Sequence, residues 1–517
     1  MTRSGDRSAG NLADAFAAQA ARRPDAIAVV DGDRTVSYGA LDAATWRAAA
    51  HLARAGVRRG DVVALTFDRE FDSLVATLAL VRMGATLVAL PAGDPPGLRA
   101  RTAASTGAQV LVTDRPDADA AGLPTVAFDL APPAPAPQPD DATLRDPAPA
   151  APWLLIVGSG STGRPKLIAL DHAVSHARTA MQRAAFGISP ADRVVCLSPI
   201  DFAITRQRYL ETLTDGATVV LFDRRRDDLR AVCARHAVTV VHGSVVHMER
   251  LLQRAPADGP PVLGALRVLR IGGSTVSDAL RAQVMRRLCP NLYVAYSMNE
   301  FGIATCVGPG QMHRAPGSVG RPVAGIEVRI TDGDGRPLPA GETGLIGVRG
   351  PGLVEGYVDD DTATARAFRA GWFVPGDLGL LTEDGELLHR GRADHMMILD
   401  GINIHPAEIE EVMGRHPAVA DAAAVPMRSR MHQDIPVCAV ALHAGHTASE
   451  AELLAHARDA LGLRMPRRIV VVGQIPRSDQ GKLQRAALTA TLARALGVPM
   501  VARDTPTVAH DIRPGSP

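Results

Sequence analysis

Rings are scarce in this chain. Aromatic residues fill 3% of its 517 positions, so a ligand pocket is not expected to be built mainly from them. Cysteine is scarce too. Cys196, Cys233, Cys289, Cys306 and Cys438 are scattered, odd in number and form no CxxC pair. That argues against a disulfide or zinc framework and fits a reducing cytosol. No uninterrupted apolar run is long enough to span a bilayer, and Met1–Gly10 is polar, without the apolar core of a secretory signal. Neither sign of charge dominates: 56 Lys and Arg face 55 Asp and Glu, for a net +1. Nothing therefore points to nucleic acid or an anionic membrane as partner. The run Arg224-Arg225-Arg226 is flanked by Asp223, Asp227 and Asp228, and reads as a solvated, self-neutralised surface. Internal repeats are absent.

The remaining composition, 46% hydrophobic and 21% charged, is that of a soluble globular protein long enough for two or more domains. Residues 11–128 alternate helical and strand patterns. Asn11–Phe16 opens an amphipathic helix, Ala26–Val30 is a short strand, and Asp31-Gly32 is a hairpin-type turn. Val62–Leu65 and Thr86–Leu90 follow as strands beside helix-like segments, a layered α/β pattern. Residues 129–152, rich in Ala, Pro and Asp, read as an exposed connector. A second α/β stretch runs from 153 to about 316. Strands and turns dominate Gly317–Leu388, and a small α/β unit fills about 395–490. Residues 1–10 and 497–517 are expected to be disordered.

The most informative stretch is Gly158-Ser159-Gly160-Ser161-Thr162-Gly163-Arg164-Pro165-Lys166. It follows Trp153-Leu154-Leu155-Ile156-Val157, an apolar run that reads as a buried strand. Glycines let the backbone approach a ligand closely, and successive N–H groups wrap an anion. Hydroxyls donate to phosphate oxygens, and Lys166 adds a positive charge. By its chemistry this is a triphosphate loop. In a Walker A loop lysine directly follows the last glycine, whereas here Arg164 and Pro165 intervene, and no GxGxxG fingerprint is present.

This loop resembles the (Thr/Ser)-Ser-Gly-(Ser/Thr)-Thr-Gly-x-Pro-Lys signature of the adenylate-forming superfamily, with Gly158 in place of its first hydroxyl residue. That superfamily holds acyl-CoA synthetases, nonribosomal peptide adenylation domains and beetle luciferases. Further motifs follow in the family's order. Gly272-Gly273-Ser274 matches a turn that packs against adenine and lines the acid pocket. Tyr296-Ser297-Met298-Asn299-Glu300 resembles Tyr-Gly-x-Thr-Glu, with Asn299 in place of threonine. The resemblance implies that Tyr296 stacks near adenine and that Glu300 holds Mg²⁺, an ion that prefers one or two carboxylates plus phosphates. Gly371–Asp377 resembles the motif whose aspartate, here Asp377, accepts both ribose hydroxyls, as an acceptor-only carboxylate can. Gly391–His395 resembles the interdomain hinge, with Asp394 as pivot and Arg392 reaching the nucleotide. Gly401–Glu410 resembles a stretch common in acyl-CoA synthetases. Pro406 also suits a helix start with Glu408 and Glu410 in its first turn, and both readings hold. Ile475–Arg485 resembles the motif whose lysine, here Lys482, contacts the acid's carboxylate and the α-phosphate. Such a charge stabilises two anions forced together, and losing it typically costs roughly 10²–10³-fold or more.

The resemblance covers nearly the whole chain, including Thr35–Leu41. It implies an α/β fold: a large layered N-terminal domain over 11–393 with a β-rich subdomain, hinged to a small α+β C-terminal domain over 394–490. It implies that ATP, Mg²⁺ and a carboxylic acid give an acyl-adenylate and pyrophosphate. A phosphopantetheine thiol, on CoA or a separate carrier protein, then displaces AMP as the small domain rotates. No carrier-protein motif or condensation domain is present, so a free-standing cytoplasmic enzyme, monomeric or homodimeric, is expected. The acid pocket is expected around Asp201, Phe202, Ala203, Ser274, Ala295 and Ile303. Asp201 suits the aspartate that binds an α-amine, but counting back from Asp215-Gly216 puts Ala203 there, and the stretch resembles aryl-acid ligases equally. An aryl or small acid bearing an amino or hydroxyl group is the expected substrate. An amino-acid adenylation enzyme and a degenerate ATP-binding member remain as alternatives.

Overall fold

The computed structural model of the protein describes residues 10–115, 121–129, 151–158, 166–312, 316–395, 397–399, 402–428, 434–478 and 481–497. Short aliphatic runs alternate with helices through the first 300 residues, and they assemble as strand–helix layers. One sheet has nine strands. Their spatial order is Arg321–Pro322, Gly302–Val307, Leu292–Met298, Val268–Ile271, Val240–Gly243, Arg193–Cys196, Thr218–Val220, Ile27–Asp31 and Arg34–Ser37. The six strands from Leu292–Met298 to Ile27–Asp31 run parallel, and the strands outside them are antiparallel. A six-stranded sheet holds Val62–Thr66, Thr86–Ala89, Val110–Thr113 and Pro152–Gly158 in parallel, with Lys166–Asp171 antiparallel at one edge.

Between these sheets lies helix Glu70–Met83, in which every residue from Phe71 to Met83 is buried. A helix covered on all sides needs its charges neutralised. Arg82 accordingly donates to Asp42 and lies 4.1 Å over the Trp46 ring. Asn11 caps the expected first helix, Leu12–Arg22, and Gly32 turns the expected hairpin at φ +58°. The strand-rich stretch after 317 forms an antiparallel sheet of six strands between Glu327 and Arg392. One element differs from expectation. The strand beginning at Leu292 runs on to Met298, because Ser297 and Met298 pair with Ile303 and Gly302. Tyr296 and Ser297 are thus strand residues, with fixed directions.

Beyond a 3₁₀ turn at Ala393–His395, a hairpin (Met397–Leu399 with Ile402–Ile404) leads into a small α+β domain. Its strands Val419–Arg428, Asp434–Leu442 and Arg468–Val471 form one sheet, packed by helices Pro406–Gly414, Glu450–Leu461 and Arg485–Leu496. Two hydrophobic cores, centred on residues such as Met413 and Leu453, and Val437 and Leu488, belong to this domain alone. Among the described residues no helix is long and apolar enough to cross a membrane.

Candidate active site

In an open parallel sheet, ligands gather outside the carboxyl ends of the strands. Four such ends meet here: Cys196, Gly243, Ile271 and the end of Leu292–Met298. Gly272 follows Ile271 and packs flush against the next strand, where a Cβ would lie 3.4 Å from the Ala295 carbonyl. Gly273 adopts φ +91°, which favours glycine, and opens onto free space. The Ser274 hydroxyl is buried without a partner.

Two polar clusters stand beside this turn. In the first, the Tyr296 hydroxyl donates to Asp377 Oδ2 at 2.5 Å, while Arg392 Nη1 lies 3.4 Å from Oδ1. Asp377 and Arg392 are register partners on antiparallel strands. His389, two residues from Gly391, brings Nε2 to 3.6 Å from Asp377 Oδ2 and its ring to 5.4 Å from that of Tyr296. Burial works to raise the Asp377 carboxyl, but the His389 and Arg392 contacts outweigh it and hold the group below its ordinary value. In the second cluster, Tyr357 donates to Glu300 Oε1 at 2.9 Å and accepts from Lys166 Nζ at 3.4 Å, with Nζ 4.5 Å over its ring. The clusters adjoin electrostatically: Arg392 acts on Tyr357, and Glu300 acts on Tyr296.

Ser159, Gly160, Ser161, Thr162 and Gly163 lie outside the described residues. Their flanks do not: Gly158 and Lys166 are register partners on antiparallel strands. Asn299 is exposed, and its carbonyl accepts from Arg178 Nη2 at 2.9 Å, which anchors the turn before Glu300. Among the described residues no three His, Cys, Asp or Glu side chains gather as a metal cage. A single carboxylate such as Glu300 is the donor set for a Mg²⁺ held mainly through phosphates.

The Ser198–Phe202 segment forms the rim before helix Ala203–Thr214, with Phe202 at its N-cap. It is tied down from below. The Ile200 N–H donates to Glu70 Oε1 at 3.2 Å, and the Tyr209 hydroxyl to Oε2 at 3.4 Å. Burial, helped by Asp201, pushes the Glu70 carboxyl up to about 7. Burial also raises Asp201, with Arg206 its strongest opposing charge. Ala295 and Ile303 are buried on the two neighbouring strands.

The C-terminal domain approaches the same rim. Arg477 donates to Asp421 through Nε and Nη2, at 2.9 and 2.8 Å, and its backbone bridges Leu483. The turn between them, with Ser478 N–H bonded to the Lys482 carbonyl, seats Gly481 on Val246 in the first turn of helix Val245–Arg254. Lys482 itself is exposed. Asp394 lies in the 3₁₀ turn joining the domains. Glu408 lies in the first turn of helix Pro406–Gly414, but Glu410 falls in the next one, where it is half-buried, accepts from Ala424 N–H at 3.0 Å and is attracted by Arg485.

Motif reasoning passed over Tyr357 and Glu70, isolated in sequence from the motifs they join, and His389, which lies just outside the Gly391–His395 motif. It also passed over a count. Of 56 basic side chains only two, Lys166 and Lys482, are lysine. Lysine offers a compact, mobile ammonium where arginine offers a planar fork, and both sit in the motifs assigned to phosphate chemistry.

Residues 16–358 match the AMP-binding enzyme family and residues 408–482 the AMP-binding enzyme C-terminal domain. Over 92% of its length the chain is 31% identical to phosphinothricin tripeptide synthetase PhsC of Streptomyces viridochromogenes, but it spans only 45% of that protein. It is 30% identical to salicyl-AMP ligase / salicyl-S-ArCP synthetase of Mycobacterium tuberculosis, covering 94% of this chain and 92% of the relative. O-succinylbenzoate Coenzyme A synthetase (MenE) from Bacillus subtilis, solved in complex with AMP, superposes with a TM-score of 0.80 at 25% identity, covering 92% and 97% of the two chains. With its large layered domain, small α+β domain and paired clusters at the strand ends, the chain belongs to the AMP-binding enzyme family, the adenylate-forming superfamily of ATP-dependent ligases.

Proposed function

We propose that the protein activates an aryl or small carboxylic acid as its acyl-adenylate and transfers the acyl group to a phosphopantetheine thiol. The observation that carries this reading is the junction of the Tyr296–Asp377–Arg392 and Lys166–Tyr357–Glu300 clusters at one rim. One cluster presents an ionised acceptor suited to two ribose hydroxyls. The other presents a lysine and a carboxylate suited to a magnesium triphosphate. A carboxylate oxygen of the acid attacks the α-phosphorus, the bond to the bridging oxygen breaks, and pyrophosphate leaves. A thiolate then attacks the acyl carbon and AMP departs. Lys482 stabilises the charge gathering at the α-phosphate, and Arg392 orients the nucleotide. Mg²⁺ at Glu300 supplies charge neutralisation of the phosphates. Asp394 is the pivot that exchanges the two faces of the small domain. The acceptor is CoA or a separate carrier protein, as the named activities of MenE and the salicyl-AMP ligase support.

An amino-acid substrate is the second reading, favoured by Asp201 at the rim and the likeness to PhsC. ATP–pyrophosphate exchange across aryl, short-chain, fatty and amino acids separates the readings. Acid-dependent exchange is expected, with Lys482→Ala lowering it roughly 10²–10³-fold. ATP binding without exchange for any acid counts against catalysis altogether.

A further inference from the structure

Register places Cys196, His242, Arg270 and Tyr293 in one row across four parallel strands. All four point to the sheet face covered by helices His172–Phe186 and Ala203–Thr214. The Phe186 ring stands edge-on to both His242, at 6.3 Å, and Tyr293, at 5.6 Å. Two residues earlier the same row reads Val194, Val240 and Val268, an ordinary apolar core. Toward the carboxyl ends it turns basic.

Arg270 is 5% exposed, and Nη2 donates to Ser297 Oγ at 3.2 Å, while Nε has no partner. Among the described residues no carboxylate comes within ion-pair distance of it. Its strongest charged neighbour is like-signed: Arg208, 4% exposed, which is already paired with Glu211. Arg178, 3% exposed, donates to the Gly352 and Asn299 carbonyls and to Gln207 Oε1. Glu211 is the carboxylate common to all three buried guanidiniums; Arg178 is also within the influence of Glu300 and Asp171, whereas Arg270 has no other carboxylate acting on it. His242 stays neutral, because burial and the two arginines push it well below its ordinary value, and its Nδ1 is unpartnered. A buried guanidinium with no ion-pair partner costs several kcal/mol in general, and the Phe186 ring, 5.8 Å from Arg270 Cζ, and the more distant Glu211 offset only part of that. Its position is informative. Nη2 lies 3.5 Å from where a Cβ on Gly272 would stand, beneath the Gly272 turn and beside Ala295 and Ser297. Gly272 and Ala295 are where the resemblance puts the acid pocket, so Arg270 stands next to that expected site.

We propose that the acid bears a second carboxylate, received by Arg270 with His242 beside it as a further polar partner, and that the pocket rejects acids bearing an ammonium group there. The proposal rests on the acid-activating reading above. Arg270 is a specificity residue, too deep to serve the reacting carboxylate.

Pyrophosphate exchange with matched pairs tests it: succinate against butanoate, isophthalate against benzoate and 3-hydroxybenzoate, with β-alanine as the ammonium arm. The wild type is expected to prefer the diacid of a pair roughly 10²-fold, and Arg270→Met to lose roughly 10²–10³-fold on that diacid, chiefly in KM, so that the diacid-to-monoacid ratio collapses. Arg270→Lys restores part of the preference. Arg270→Met without ligand is expected to melt no lower than wild type, since it removes an unpaired buried charge, and this separates lost recognition from lost fold. Exchange that favours monoacid, hydroxy acid or β-alanine, or a diacid-to-monoacid ratio unchanged in Arg270→Met, overturns the proposal and leaves the ligase reading intact. No exchange by wild type with any acid overturns the ligase reading, and this proposal with it.

Discussion

At the scale of single residues, the site is made of side chains whose buried charge is offset from unexpected quarters. Glu70 shows this most clearly. Its carboxylate holds the Ser198–Phe202 rim through the Ile200 N–H, yet burial raises its pKa from an ordinary 4.5 to about 7. The folded state therefore binds this proton more tightly than the unfolded chain does. Its contribution is fully present below the unfolded value and is lost as pH rises through about 7. Glu70→Gln keeps an acceptor for Ile200 and removes the titration. The variant is expected to flatten the fall in Tm from about pH 5 to about pH 8, and to exceed wild type at the upper end. An equal loss of Tm at every pH would show that shape, not charge, matters at this position.

At the scale of elements, the joints between sheets are as demanding as the strands. Gly320 links the short edge strand Arg321–Pro322 of the nine-stranded sheet to the antiparallel sheet. Its carbonyl accepts from Leu387 N–H at 2.9 Å, and its N–H donates to Ser318 Oγ at 2.8 Å. Its φ is +92°, and a Cβ would lie 2.0 Å from the Cys306 carbonyl oxygen. Backbone, not a flexible side chain, blocks the space. Gly320→Ala is expected to destabilise by about 3 kcal/mol or more, measured by urea unfolding. A loss under about 1 kcal/mol would mean the two sheets separate there without cost.

At the scale of the whole molecule, the small domain meets the large one through the Gly481 turn on Val246. A Cβ built on Gly481 stands 3.7 Å from Val246 Cβ, within the range that a disulfide spans. The left-handed φ of +79° at Gly481 adds strain of about 1–2 kcal/mol. Oxidised Val246→Cys/Gly481→Cys is expected to keep acid-dependent pyrophosphate exchange and to stop acyl transfer to a thiol, with reduction restoring transfer. If the cross-linked protein transfers normally, domain rotation is not part of the second half-reaction.

Local sequence carried a great deal. The strand before the Gly158–Lys166 loop, the Asn11 cap, the Gly32 hairpin and the helix opened by Pro406 rest on near-neighbour chemistry, and each forms as that chemistry predicts. The ordered motifs were enough for the family, because their glycines, hydroxyls and charges keep their spacing along the chain. Other features only the tertiary structure decided. Tyr357 joins Lys166 to Glu300 across 191 and 57 positions. His389 meets Asp377 because a bulged antiparallel pairing brings their strands together. Arg270 and His242 read in sequence as stray polar residues within apolar strands. Only parallel register sets them side by side, and only burial without a carboxylate turns them into a statement about substrate. Periodicity sets which face a residue occupies; which charges share that face, and whether they balance, depends on contacts between segments far apart in the chain.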